Sequence, residues 1–125
     1  MKGICMEINL YDVYGSAVAY IDEDGTIYLW GGKPVAYIYD EDKIYGWNGK
    51  HLGLFSNEIV YDLEGKRVGY TEYASPRSVY GNPVKSVKRV KPTKMVRSFP
   101  KTRPIFSSKD SSIRLKDFLE DGSVI

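Results

Sequence analysis

One cysteine and one histidine are present in 125 residues. Cys5 alone cannot close an internal disulfide, and with His51 it cannot complete a Cys/His zinc site, so no metal and no cofactor is expected and the compartment reads as reducing. No apolar run approaches the roughly 20 residues that span a bilayer, and Glu7 comes before any signal-peptide core could develop. A soluble, cytoplasmic protein is expected. Phenylalanine is scarce, with 4 residues, while tyrosine reaches 11. Aromatic surface of that kind favours sheet over helix bundle. Acidic residues are missing altogether from Tyr73 to Lys109, where five of the six prolines lie.

The formal net charge of +2 therefore conceals two unlike halves. Residues 1–72 carry six Lys/Arg against twelve Asp/Glu, a net of −6; residues 73–125 carry twelve against four, a net of +8. The expected organisation is a folded acidic domain over 1–74, a basic proline-punctuated tail over 75–109, and a short helix or docking motif over 110–125.

A fourfold repeat runs through the acidic part. Gly15, Gly32, Gly49 and Gly65 stand 17, 17 and 16 residues apart, each preceded by four positions by Tyr11, Tyr28, Tyr45 or Tyr61. An aliphatic residue comes just before each tyrosine, and Val18, Val35, Leu52 or Val68 follows three positions after the glycine. Next in each copy is a small residue, Ala19, Ala36, Gly53 or Gly69, expected to leave room for a ring or for close backbone approach near a shared axis.

Each copy reads as a β-hairpin. Gly31-Gly32 and Asn48-Gly49 suit a two-residue type I′ turn, whereas Asp12…Gly15 and Asp62…Gly65 suit a type I turn. A single hairpin is marginal in water, so the copies must bury one another. Four tandem hairpins are expected to close into a shallow, all-β, pseudo-fourfold barrel or flower, opened by a strand in which Ile4, Met6, Ile8 and Leu10 alternate with polar neighbours. Basic residues cluster at the hairpin tips and Asp22-Glu23-Asp24 and Asp40-Glu41-Asp42 at the connecting loops, which makes the acidic loops a candidate dock for the basic tail.

The recurring Tyr-(Asp)-x-x-Gly-x-x-Val-(Ala/Gly)-Tyr, as in Tyr61-Asp62-Leu63-Glu64-Gly65-Lys66-Arg67-Val68-Gly69-Tyr70, resembles the repeats of bacterial four-fold beta-flower domain proteins. Phe118-Leu119 is similar to the short element near the end of those chains. The resemblance implies hairpin petals around a central, largely apolar channel, and it transfers no catalytic residue. A more distant architectural similarity to Tubby-like and scramblase-like barrels implies lipid association.

Catalytic signals are weak. His51 occupies a position filled elsewhere by Ala17, Pro34 and Arg67, which reads as a surface site. Gly46 to His51 lacks phosphate-loop spacing, and Asp22 to Gly25 lacks the ligands of a calcium loop. No catalytic residue is assigned, and the expected protein is not an enzyme. An unrecognised enzyme site stands as a remote alternative.

Tyr11, Tyr28, Tyr45 and Tyr61, with Trp30 and Trp47, form either a packed aromatic layer or the lining of a channel for an apolar or cationic ligand. Lys85, Lys88, Arg89, Lys91, Lys94, Arg97, Lys101 and Arg103 are unopposed by acid in the tail, which is expected to be extended or polyproline-like and disordered unless docked. Such a tail is a solvated linker, an anchor on an anionic membrane, or a non-specific nucleic-acid arm. Leu115, Phe118 and Leu119 fall on one face of a short helix and are expected to dock on the barrel or on a protein partner. The leading expectation is a binding or adaptor module, with its arm on an anionic lipid surface; nucleic-acid association is the alternative.

Overall fold

The computed structural model describes residues 7–79, 81 and 83–124. Eight strands, β1 (Ile8–Tyr11), β2 (Ala17–Ile21), β3 (Thr26–Leu29), β4 (Pro34–Tyr39), β5 (Lys43–Gly46), β6 (His51–Ser56), β7 (Ile59–Asp62) and β8 (Arg67–Tyr70), pair in sequence order into a closed antiparallel barrel. The expected all-β flower of four hairpins is thus the observed fold. Tyr11 opposite Tyr70 closes it. Ile4, Cys5 and Met6 of the expected opening strand lie outside the described residues.

All four hairpin tips use one turn, against the expectation of two. The N–H of the glycine donates to the carbonyl of the residue three before it, Gly15 to Asp12, Gly32 to Leu29, Gly49 to Gly46 and Gly65 to Asp62, and the glycines take φ of +85° to +97°. Gly31 and Asn48 do not have positive φ, so the type I′ turn is absent. A three-residue loop with a bulge forms instead. The reason lies in register: Ile27 faces Ala36 but Tyr28 faces Pro34, so Val35 is skipped. Val18, Leu52 and Val68 are skipped in the same way in the other copies. The extra residue lets two neighbours turn inward together, and Val35 and Ala36 both enter the core.

The interior is closed by the chain itself. Helix α1 (Leu115–Glu120) inserts Leu115, Phe118 and Leu119 among Leu10, Ile27, Ile44, Val60 and their neighbours. These three side chains are 1%, 6% and 0% exposed, so their expected role in docking a separate partner is corrected: burial of each, worth about 1.5–3 kcal/mol, is satisfied inside the barrel. The helix starts at Leu115, and Arg114 gives it no side-chain cap. The fourfold pattern bends to seat it. A methyl on Gly69 would lie 2.8 Å from Leu115 Cδ1, and one on Gly53 would lie 2.1 Å from the Tyr61 carbonyl oxygen and 2.8 Å from Phe118 Cζ, whereas the first two copies carry Ala19 and Ala36.

Candidate functional site

The described residues between 78 and 111 are not a loose tail. They run as a strap past the four hairpin tips in chain order. Methyl groups on Gly15, Gly32, Gly49 and Gly65 would fall 2.1–2.5 Å from the carbonyl oxygens of Ser78, Val87, Val96 and Ile105, four strap residues spaced nine apart. Two residues further on, the N–H groups of Arg89, Ser98 and Ser107 donate to the carbonyls of Gly32, Gly49 and Gly65 at 2.8–2.9 Å. Ser86 and Met95 donate likewise to Trp30 and Trp47; Pro104, at the corresponding fourth position, has no N–H to give. The indoles complete the clamp, Trp30 Nε1 donating to the Pro83 carbonyl at 3.1 Å and Trp47 Nε1 to that of Pro92 at 2.6 Å. A nine-residue repeat is threaded onto a seventeen-residue one.

Nine is three times three, and the strap sorts its side chains with the three-residue period of an extended polyproline-type chain. Lys85, Lys88, Lys91, Lys94, Arg97, Arg103 and Phe106 turn toward the barrel. Lys85 reaches Glu7 at 2.7 Å, Lys88 reaches Glu7 and Asp22 at 2.9 and 3.2 Å, Lys91 pairs with Asp24, and Arg103 pairs with Asp42. The acidic loops are thus a dock for the strap. Lys91 and the Thr26 backbone N–H hold the Asp24 carboxyl down at about 2, outweighing the partial desolvation that would raise it. Hydrogen bonds from Lys85 and Lys88 lower that of Glu7.

The other inward groups rest on rings. Tyr11, Tyr28, Tyr45 and Tyr61 alternate with Leu10, Ile27, Ile44 and Val60, which face the core, so the tyrosines lie on the outside of the barrel and not in a channel. The expectation that they and the tryptophans line a central channel is corrected, because the axis is filled by aliphatic side chains and α1. Across the strands Tyr20 stacks on Tyr28 and Tyr37 on Tyr45, with Trp30 and Trp47 edge-on to Tyr20 and Tyr37. Lys85 Nζ lies 4.4 Å above Tyr20, Lys94 Nζ 4.0 Å above Tyr37, and the Arg97 guanidinium 3.7 Å above Tyr39. Where the third copy has Leu54 in place of the tyrosine, the strap replaces the cation by Phe106, stacked on Tyr61 at 3.9 Å.

Opposite this inward stripe, Val84, Val87, Val90, Val96, Phe99 and Ile105 point away from the protein and are 89–94% exposed. They too are spaced by threes, Thr93 and Thr102 filling the gaps. Arg89 and Lys101 are exposed beside them and make no ion pair among the described residues.

His51 is not at the surface, as its variable position in the repeat suggests, but inside. It is buried and stacks on Tyr45; its Nδ1 accepts the Lys101 N–H at 2.8 Å, leaving the proton on Nε2, which donates to the Gly53 carbonyl at 3.1 Å. Burial lowers its pKa. With both nitrogens engaged it offers no free base to the adjacent cavity of about 720 Å³, which Asp62, Lys101, Ser112 and Asp117 also line. Tyr70 donates to the Asp110 carboxylate, and burial together with that bond raises its pKa. Beside it, Arg67 makes a parallel bridge with Asp110. The signal that could have revealed the strap is the spacing of Val87, Val96 and Ile105 against that of the tip glycines. Among the described residues no group of three His, Cys, Asp or Glu could hold a metal ion, and no helix is long and apolar enough to cross a membrane.

Residues 8–119 match the family profile described as 4-fold beta flower protein, which takes in barrel, strap and helix, and the chain belongs to that family. No curated protein and no solved structure shows a significant match.

Proposed function

We propose that this beta-flower protein is a non-enzymatic binding module that lays the outer stripe of its strap on an anionic lipid surface. The observation that carries this reading is the row of fully exposed apolar side chains, Val84 to Ile105, held outward by a strap whose cations anchor it from behind. Exposed apolar side chains that recur in a row ask for a partner. A lipid interface suits both components: Val and Phe enter the headgroup boundary, and Arg89 and Lys101 each gain about 1 kcal/mol beside anionic lipid. The strap curves round the barrel, so a flat surface meets one arc at a time, and Val84, Val87 and Val90 with Arg89 form the arc richest in apolar groups.

The test is co-sedimentation of the full chain with vesicles of equal phosphatidylglycerol and phosphatidylcholine. Wild type is expected to bind and to release as salt rises. Val84→Ser/Val87→Ser/Val90→Ser is expected to lose at least about tenfold in affinity with an unchanged melting temperature, since these side chains touch little of the barrel. Absence of wild-type binding would sink the proposal, and salt-sensitive retardation of duplex DNA in its place would favour the nucleic-acid reading. Truncation after residue 74 is not a clean comparison, because it strips Leu115, Phe118 and Leu119 from the core.

A further inference from the structure

Two aromatic pockets repeat on the outside of the barrel, Tyr20–Trp30 and Tyr37–Trp47, each an edge-on Tyr/Trp pair, with ring centroids 5.9 and 5.4 Å apart, capped by a strap lysine. They differ in what surrounds the ammonium. Lys85 sits over the first with Glu7 at 2.7 Å, and Lys88 also stands 5.9 Å from Tyr20. Lys94 sits over the second, 4.0 Å from the Tyr37 centroid and 5.2 Å from that of Trp47. No carboxylate among the described residues pairs with it. Arg97 meets Tyr37 at the hydroxyl, 3.2 Å away, and lies over Tyr39, leaving the Tyr37 face to Lys94.

We propose that the Tyr37–Trp47 pocket is a recognition site for an alkylated ammonium ion, which Lys94 occupies in cis. A primary ammonium is strongly hydrated and prefers water or a carboxylate. Two aromatic faces without a carboxylate suit a cation that has charge but few hydrogens to satisfy, the chemistry of a quaternary ammonium. Exchange needs no unfolding. Lys94 is exposed, and the strap on either side is held by the Met95 and Ser98 backbone bonds and by the Trp47 indole, so the side chain can swing into water alone. While tethered, Lys94 competes at an effective concentration of the millimolar order.

The experiment is a titration of full-length Trp30→Phe protein, in which Trp47 alone reports, with tetramethylammonium chloride against sodium chloride at equal ionic strength. In that background Lys94→Ala is expected to show a saturable fluorescence change at a concentration at least about tenfold below any response of the parent. Lys85→Ala is expected to leave the Trp47 response at the parental level. Magnetisation transfer from the ligand methyl protons to the Tyr37 and Trp47 rings provides a second readout that does not depend on fluorescence. Choline and neutral phosphatidylcholine vesicles then separate the sources: vesicle retention of Lys94→Ala assigns a lipid headgroup, and saturation by choline without retention assigns a soluble ligand. A folded Lys94→Ala protein that responds to tetramethylammonium no better than its parent, with no methyl-to-ring transfer, overturns the proposal.

Discussion

The helix and the strap dock on the same barrel by different physics. Six residues of α1 place three side chains in an apolar interior, where neither salt nor pH has a group to act on. The strap, several times longer, leaves most of its side chains in water and is held by backbone hydrogen bonds to the tips, lysines on aromatic faces and pairs with acidic loops. Apolar burial makes a permanent part of the fold. Polar anchoring makes a part whose grip follows solution conditions, because exposed ion pairs weaken with salt and with protonation.

The sharpest way to break that contrast is Leu119→Ala. A cavity at a fully buried position should cost about 2–5 kcal/mol, read as a lower urea midpoint; a loss below about 1 kcal/mol would mean that the helix is not part of the core. Gly69→Ala comes next, with an expected cost of about 1–3 kcal/mol from overpacking against Leu115. The cost should shrink when Leu115→Ala is combined with it, and strict additivity would show that the helix does not occupy that space.

The smallest effect is on the strap, and it depends on pH. The folded carboxyls of Glu7 and Asp24 titrate below their ordinary values of 4.5 and 3.8, so their stabilisation is complete above about pH 5 and declines as pH falls toward 2. Amide protection at Ser86 and Arg89, taken against the intrinsic exchange rate at each pH, should fall in that window before protection in the barrel does. His51, also lowered, contributes fully above its ordinary 6.5 and loses ground as pH drops below it. Its readout is the Lys101 amide, and uniform exchange along the strap across both windows would contradict this assignment.

The barrel was legible because hairpin repeats announce themselves in Tyr11, Tyr28, Tyr45 and Tyr61 and in the glycines that follow. The turn type was not: Gly31-Gly32 and Asn48-Gly49 fit a type I′ turn locally, and the skipped Val35 and Leu52, drawn inward by the core, decided otherwise. Outside and inside were equally open to either assignment, since both Tyr28 and Ile27 are apolar enough to be buried, and both are. The strap escaped because prolines and unopposed lysines carry the composition of disorder. Its order rests on backbone donors at Arg89, Ser98 and Ser107 and on cation–aromatic contacts, none of which raises hydropathy. The helix pattern was visible, but the Gly53 and Gly69 vacancies that receive it were visible only as small residues without an occupant.

The pairing of a nine-residue with a seventeen-residue repeat also limits how such a chain can change its length. Removing nine strap residues would carry each anchor to the preceding petal with its cation, its outward valine and its amide still in phase. Removing three or six would keep the facing of the side chains but miss the glycines, and a number that is not a multiple of three would rotate lysines into the water and valines onto the tyrosines. Growth by a petal accordingly requires two insertions at distant places in one chain. Neither insertion is useful without the other, so arithmetic constrains the number of petals as much as packing does.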